Sequence, residues 1–309
     1  MISRRNIRVK VMQTLYTLNT VDGEIKNMDP VKLLQKQLDS SRQLFIYLLY
    51  TLTEVARYAE TDSLKRASKN LPSAQDLNVN TKLSGNEYLW KILESASFQK
   101  AVESEKPHLV EDSKTQVKNI YNQLVETPEY KEYISTQSRE KKSEKDIFVF
   151  IFTNMMLPNE DYISHVEEHF TNWDDDAEMM EQLMLNYLQK PGSYNLQEMV
   201  GEEKWLFAKN LLATSREKRE YALELIKPKL KNWDAERIAV LDMILMEMGV
   251  CELLYFETIP TKVTINEYID LAKAYSTPQS GQFINGILDN IHKDLMSQNK
   301  IHKVNFKNK

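Results

Sequence analysis

Apolar residues recur every three or four positions along most of the chain, which is the spacing that predicts α-helices. At the N-terminus, Ser3 is a residue type that caps helices. A core-facing stripe follows at Ile7, Val11, Leu15 and Leu18. The apolar run over residues 44–58 predicts a second helix, too hydrophobic to face solvent.

The middle of the chain is predicted to be mostly helical, with polar interruptions. Amphipathic spacing predicts helices over residues 87–101 and 110–124. Residues 61–85 are polar and contain Pro72, so they are expected to form a loop or linker. Residues 135–145 are highly charged and are expected to be exposed.

The stretch 259–289 predicts two helices joined by a short polar turn. Their apolar positions are Ile265, Ile269 and Ala272 in the first helix and Phe283, Ile287 and Ile291 in the second. Thr277 followed by Pro278 predicts the start of the second helix, because a hydroxyl caps free amides and proline fixes φ. Free amides, a hydroxyl, a glycine and the flanking Tyr275 favour a site for a phosphate and a stacked base.

A long helix is predicted over residues 234–256, just before this stretch. Its expected core face consists of Ala239, Met243, Met246 and Val250. Gly249 would allow another helix to approach closely, at about 1 kcal/mol of helix propensity.

An internal repeat precedes this helix, because residues 146–190 resemble residues 205–249. The clearest element is Asn172-Trp173-Asp174, which recurs as Asn232-Trp233-Asp234. Apolar positions kept at helical spacing suggest two related helical hairpins. The alternative is a chance likeness between two amphipathic helix pairs.

Composition supports a helical protein and offers no catalytic site. Only 7 of 309 residues are glycine, which disfavours turn-rich β architecture, and no glycine-rich phosphate loop occurs. The single cysteine, Cys251, lies in an apolar run and is expected to be a buried, inert thiol. Apolar runs are too short to span a membrane and no signal peptide is evident, so a soluble cytoplasmic protein is expected.

His165-Val166-Glu167-Glu168-His169 matches a zinc-hydrolase pattern, but no third ligand follows in a suitable context. We therefore expect a solvated or half-buried helix face here, with no metal and no cofactor. No nucleophile and base stand together elsewhere, so the sequence predicts that the protein is not an enzyme.

Charge is distributed unevenly along the chain. The net charge is −5, yet residues 1–10 and 293–309 each carry +4. Basic ends on an acidic body are typical of a local anion-binding surface, although charged ends could simply be solvated. Arg5 and Arg8 lie beside Tyr16 on the shoulder of the first helix, where their guanidinium groups are expected to reach outwards.

The C-terminal stretch also resembles a known family. The order Ile-Pro-x-Lys-Val-x-Ile-Asn-Glu, then Leu-Ala-Lys, then Ser-x-x-Phe-Ile-Asn-Gly-Ile-Leu-Asp is similar to the signature of the NusB transcription antitermination factors. The resemblance implies an all-α fold of NusB-like packed helical bundles. It divides the chain into an N-terminal arginine-rich helix (1–24), a helical insertion (25–195), a C-terminal core (196–298) and a basic tail (299–309). The repeat suggests that the insertion is a pseudo-duplicate of the bundle.

The same resemblance implies an RNA-binding role. The chain would bind single-stranded boxA-like RNA together with NusE, a small-subunit ribosomal protein, within the transcription elongation complex. Arg4, Arg5 and Arg8 would bind phosphates. Tyr16 and Asp242 would contact the protein partner, the alternative for Asp242 being an ordinary exposed acid.

The base-contacting residues implied by the resemblance lie around the polar turn. Tyr275 would stack on a base, while Gln279, Ser280 and Phe283 would shape the edge that reads it. Gln279 stands where many family members have an acid, so its hydrogen bonding should differ. Phe283 has an alternative as a core residue, because it shares helical spacing with Ile287.

Two other functions remain open at the level of sequence. The first is a protein–protein adaptor that lost RNA binding and works through its acidic insertion. The second is the RNA-binding accessory domain of rRNA cytosine methyltransferases, which is disfavoured because no cofactor-binding α/β domain follows Lys309.

Overall fold

All regular elements in the described residues are helices. The structure is a computed structural model that describes residues 2–20, 28–230 and 238–304. In chain order the α-helices are α1 (Arg4–Thr20), α2 (Pro30–Ala67), α3 (Ala74–Leu77), α4 (Glu87–Leu93), α5 (Ala96–Glu105), α6 (Ser113–Leu124), α7 (Pro128–Ser135), α8 (Lys141–Phe150), α9 (Glu160–His169), α10 (Trp173–Gln189), α11 (Glu202–Glu217), α12 (Arg219–Ile226), α13 (Val240–Tyr255), α14 (Thr261–Tyr275) and α15 (Ser280–Ser297). The predicted all-α class is confirmed. No helix in these ranges combines the length and apolar character needed to cross a membrane.

The chain divides into two compact units, which we call the middle unit and the terminal unit. The middle unit is Asp39–Met199, and the terminal unit is Ile2–Leu38 together with Val200–Lys309. The division falls within α2, so this single helix supplies residues to both. The predicted domain boundaries remain predictions.

The terminal unit is built around α13. This helix is buried from Ile244 to Leu253, including its polar residues, because α1, α11, α12, α14 and α15 all pack on it. Gly249 permits the close approach expected of it: a Cβ there would lie 3.0 Å from a methyl carbon of Leu288. The predicted core face was too narrow, since burial surrounds the helix, and Ala239 lies exposed just before it. Residues 234–237 of the predicted helix lie outside the described residues.

Of the three apolar positions predicted for the core face of α14, only Ala272 is buried. Ile265 and Ile269 are only half-buried, whereas Thr264 and Tyr268 are fully buried with Leu271. The physical reason is polar: both hydroxyl groups donate to a buried carboxylate on α13, which draws them inwards.

The middle unit is organised around the apolar part of α2, where Leu44–Leu49 are buried. Three predictions here were wrong in detail. The helix α2 extends to Ala67 into the predicted loop, and the predicted helix 87–101 is two helices, the second capped by Ser95. The charged segment 135–145 includes the start of α8. There Glu144 is buried and accepts a hydrogen bond from the Tyr133 hydroxyl at 2.9 Å.

The two halves of the predicted repeat have the same order of helices. Helices α8 to α10 in the middle unit correspond in order to α11 to α13 in the terminal unit. Trp173 is buried at the start of α10. Its counterpart in Asn232-Trp233-Asp234 lies outside the described residues, so the duplication remains a prediction.

Two sequence candidates are core residues. His165 is buried, and its Nε2 lies 2.7 Å from the Tyr47 hydroxyl. Glu167, Glu168 and His169 are exposed, so the face expected to be solvated or half-buried is half-buried. Burial, and then the neighbouring His169, lowers the pKa of His165. Cys251 is buried as predicted, and burial raises the pKa of its thiol to about 12, which suits an inert thiol.

Candidate nucleic-acid interface

The first two arginines of α1 are partly exposed, each beside a carboxylate. Ser3 caps the helix as predicted, since its hydroxyl accepts a hydrogen bond from the backbone N–H of Asn6 at 3.1 Å. The side chains of Arg4 and Arg5 are each 40% exposed. Arg4 lies 2.5 Å from Glu203, and Arg5 lies 3.6 Å from Asp270. Such exposed pairs contribute about 0–1 kcal/mol, so an arriving anion can replace the carboxylate.

The third arginine does not project outwards, so that expectation was wrong for Arg8. Its side chain is 3% exposed, and its Nε and one terminal nitrogen donate to the two carboxylate oxygens of Glu252, both at 2.8 Å. Its other terminal nitrogen donates to Glu267 at 3.3 Å. Burial alone would lower the pKa of Arg8, but hydrogen bonding and charge from Glu252 outweigh it and raise the pKa.

Glu252 is the centre of a buried polar cluster that sequence reasoning missed. Besides Arg8, its carboxylate accepts hydrogen bonds from the hydroxyls of Thr264 at 2.9 Å and Tyr268 at 3.2 Å. Nearby, the Lys303 ammonium donates to the backbone carbonyls of Glu252 and Phe256. Burial lowers the pKa of Lys303 to about 8. A bidentate arginine with two further donors leaves this carboxylate well satisfied, so the cluster fixes α1, α13 and α14 together.

The turn between α14 and α15 is fixed on its buried side by hydrogen bonds of a serine hydroxyl. The helix α15 begins at Ser280, three residues after the predicted cap. The Ser280 hydroxyl lies 2.8 Å from the Thr277 hydroxyl and 3.1 Å from that of Ser276. It also donates to Asp242 at 2.8 Å. Ser280 and Asp242 are therefore both buried, which corrects the expected base-reading edge for Ser280 and the expected exposed partner contact for Asp242.

The top of the turn faces solvent. Thr277, Pro278 and Gln279 are exposed, and Tyr275 and Phe283 are half-buried, so Phe283 is not a fully buried core residue. A Cβ on Gly281 would lie 2.7 Å from a side-chain carbon of Lys273, so a larger residue there would force this exposed lysine side chain to shift. On α1, Tyr16 is 44% exposed.

The helix α14 links the partly exposed arginines of α1 to the exposed turn that precedes α15. Asp270 of α14 contacts Arg5, and the helix ends at Tyr275, about 7.5 Å further along its axis at 1.5 Å per residue. The terminal unit thus offers two partly exposed arginines, exposed polar groups and two half-buried aromatic rings. Positive charge with aromatic rings is the combination that binds single-stranded nucleic acid.

Comparison with known proteins relates the chain to one family. A model of the NusB family matches residues 161–293, beginning within the range 25–195 that was interpreted as an insertion. The transcription antitermination protein NusB of Salinibacter ruber is 43% identical over 97 residues, 31% of this chain and 61% of that protein. That of Bacillus mycoides is 41% identical over 91 residues, 29% of this chain and 70% of that protein.

A solved structure of T. maritima NusB is 31% identical and covers 41% of this chain and 82% of its own, with a TM-score of 0.30. The match to the Salinibacter ruber protein spans less than two thirds of that protein's length. The Bacillus mycoides relative is matched over 70% of its length at 41% identity, and on this ground the chain belongs to the NusB family.

Proposed function

We propose that this protein acts in transcription antitermination by binding single-stranded boxA-like RNA together with NusE in the elongation complex. The observation that carries the proposal is that the terminal unit exposes Arg4 and Arg5 together with the turn between α14 and α15, in a chain that belongs to the NusB family. Relatives that it matches are named transcription antitermination proteins. This proposed role, acting on nascent ribosomal RNA, would place the protein in the cytoplasm. It would require no catalytic step.

Arg4 and Arg5 are the proposed phosphate ligands. In the free protein they are held near Glu203 and Asp270, and a phosphate would take the place of these carboxylates. The planar guanidinium group suits this exchange because it donates two parallel hydrogen bonds to one phosphate. Arg8 is proposed only to position α1, because its side chain is 3% exposed and donates to the fully buried Glu252 and to the half-buried Glu267.

The turn after α14 would contact the bases. The half-buried ring of Tyr275 would stack on a base, and the exposed Gln279 would hydrogen-bond to its edge. Phe283 would border this surface. Ser280 and Asp242 would act beneath it, by fixing the turn through their hydrogen bond.

The exposed ring of Tyr16 is the proposed contact for NusE on α1. An aromatic ring with one exposed face is a common anchor in protein interfaces. Asp242 would influence this partner only through the conformation of the turn, because its carboxylate is buried.

The experiment is RNA binding by fluorescence anisotropy over a series of salt concentrations. The wild type is compared with the double variant Arg4→Ala, Arg5→Ala, using a boxA RNA. Each lost phosphate contact should reduce the slope of log affinity against log salt by about 0.7 for a single strand. The double variant should therefore bind more weakly and with a slope lower by roughly 1.4. An unchanged slope would exclude the two arginines as phosphate ligands.

The adaptor alternative makes a different prediction in the same assay. A chain that had lost RNA binding would show no selectivity for boxA and no effect of the double variant. Arg8→Ala cannot serve in this comparison, because it disturbs the buried cluster whatever the function. Methyl transfer from S-adenosylmethionine to rRNA would instead overturn the assignment as a non-enzyme.

A further inference from the structure

The middle unit contains a groove between α2 and α6 that the proposed function does not use. We call it the α2–α6 groove, and its volume is about 500 Å³, within the usual range of ligand sites. The side chains of Leu64 and Val117 supply apolar surface in this groove. Its remaining lining is predominantly charged or polar.

Basic side chains outnumber carboxylates in this groove. Four cations line it: Arg57, Lys65, Lys114 and Lys118. The two lining carboxylates are Glu54 and Glu60, and the first is already paired with the arginine at 2.7 Å. The groove thus carries an excess of two positive charges inside a chain whose net charge is −5. An excess of cations against the sign of the whole protein favours an anionic ligand.

Two of these cations are available to a ligand. Lys114 and Lys118 are exposed and lie one turn apart, on the same face of α6. Within the described residues neither lysine has an ion-pair partner. Lys65 differs, because its ammonium donates to the Tyr58 hydroxyl at 3.2 Å.

A serine hydroxyl at the start of α6 indicates where the anion would lie. Ser113 is the first residue of α6, lines the groove and is only 5% exposed. Its hydroxyl has no hydrogen-bond partner among the residues that the structure describes. No side chain caps this helix, since Asp112 at the cap position makes no such hydrogen bond. The backbone N–H groups of Ser113, Thr115 and Gln116 already donate to the carbonyls of Val110 and Asp112. The Ser113 hydroxyl and the two lysines are therefore the donors that converge on one end of the groove.

We infer that the α2–α6 groove is a second phosphate-binding subsite, occupied by the backbone of the same single-stranded RNA outside its boxA element. The inference rests on the proposed function for the source of the phosphate. The Ser113 hydroxyl would donate to one phosphate, and Lys114 and Lys118 would neutralise it and its neighbour. An RNA long enough to reach both the terminal unit and this groove would gain affinity even from a weak second subsite.

The test compares three RNAs: a minimal boxA probe, the same probe extended by a uridine tract, and the uridine tract alone. The variant is Lys114→Ala with Lys118→Ala, and Lys100→Ala with Lys141→Ala is the matched control. The control removes the same charge from exposed positions of the same unit. Binding is measured by anisotropy over a series of salt concentrations.

The extended probe should bind the wild type more tightly than the minimal probe. The groove variant should lose this gain, with a salt slope lower by roughly 1.4, and should keep the wild-type affinity for the minimal probe. Ser113→Ala should lower affinity for the extended probe by about two- to tenfold, since one hydrogen bond is removed. The control should retain the whole gain.

The outcomes separate this inference from the proposed function. If the wild type bound the minimal boxA probe no more tightly than the uridine tract, the result would contradict the proposed function alone. Binding of the uridine tract would still report on the groove. The second subsite would be overturned if the groove variant still bound the extended probe more tightly than the minimal probe. It would also be overturned if the wild type bound the uridine tract no more tightly than the groove variant does. Saturable binding of inorganic phosphate that depends on the two lysines, without any gain for RNA, would also overturn it and indicate a small phosphate-bearing ligand.

Discussion

Replacing Arg8 by alanine is expected to destabilise the terminal unit although it removes no group that an RNA could reach. The substitution leaves the fully buried carboxylate of Glu252 without its cation. Only the hydroxyl donors of Thr264 and Tyr268 then remain. Breaking a buried ion pair by removing one partner costs about 3–5 kcal/mol, because the remaining charge is stranded in a medium of low dielectric constant.

Arg5→Ala is the matched control for this loss. It removes the same side chain one turn earlier on the same helix, but from a position that is 40% exposed and 3.6 Å from its carboxylate. Such a pair contributes about 0–1 kcal/mol. A second control is Arg8→Met combined with Glu252→Gln, which removes both charges and keeps an acceptor for the two hydroxyls. It should recover more than half of the stability lost in Arg8→Ala.

Hydrogen–deuterium exchange is the suitable assay because the chain has two compact units and a single unfolding transition cannot be assumed. Peptides from α13 and α14 should exchange faster in Arg8→Ala by roughly a hundredfold to several thousandfold, because a loss of about 3–5 kcal/mol makes opening easier by about tenfold per 1.4 kcal/mol. Peptides from the middle part of α2 provide the internal reference. Equal exchange rates in Arg8→Ala and Arg5→Ala would refute the reasoning that this ion pair holds the unit together.

Three further predictions concern single residues. Asp270→Asn should raise RNA affinity up to about fivefold, because it removes the ion-pair partner of Arg5 and that pair contributes at most about 1 kcal/mol. The matched control Asp289→Asn, which removes the partner of Lys293, should leave RNA affinity unchanged. Gly249→Ala should lower the free energy of unfolding, since overpacking costs about 1–3 kcal/mol against a helix-propensity gain of about 1 kcal/mol. Gly286→Ala meets no atom within 4 Å and should be stabilising. Because folding lowers the pKa of His165, its contribution to the free energy of unfolding is fully present above the ordinary histidine pKa of about 6.5. That contribution is lost as the pH falls below this value.

Each of these has a direct measurement. Anisotropy with a boxA RNA compares the two asparagine variants, and equal affinities would contradict the exchange of carboxylate for phosphate. Urea denaturation compares the two glycine variants, and a neutral or stabilising Gly249→Ala would show that α15 can move aside. Urea denaturation over a range of pH tests the histidine, and His165→Gln should flatten the profile, whereas an unchanged profile would assign the dependence to other groups.

Helical periodicity was a good guide wherever apolar burial decides the structure. It placed α1, α14 and α15 and identified Ile7, Ile287 and Ile291 as core residues, all of which are buried. It also identified Gly249 as a point of close approach. These positions follow from spacing alone, because their side chains have no polar partner to satisfy.

Apolar spacing does not reveal which polar residues are buried. Arg8 follows directly on the apolar Ile7, and a charged side chain there is ordinarily assigned to solvent. Its burial depends on Glu252, which is 244 residues away and can be paired with it only once α1 packs on α13. Likewise, the hydrogen bond between Ser280 and Asp242 joins two helices, so neither residue revealed on its own that it would be buried.

The most direct test of the account is the ratio of affinities for a boxA RNA and a scrambled RNA, measured by anisotropy with and without NusE. An antitermination factor of this kind should bind boxA more tightly than the scrambled RNA by itself, and the ratio should be larger when NusE is present. Equal affinity for both RNAs under both conditions would contradict it and would leave the chain as a helical adaptor of the NusB family.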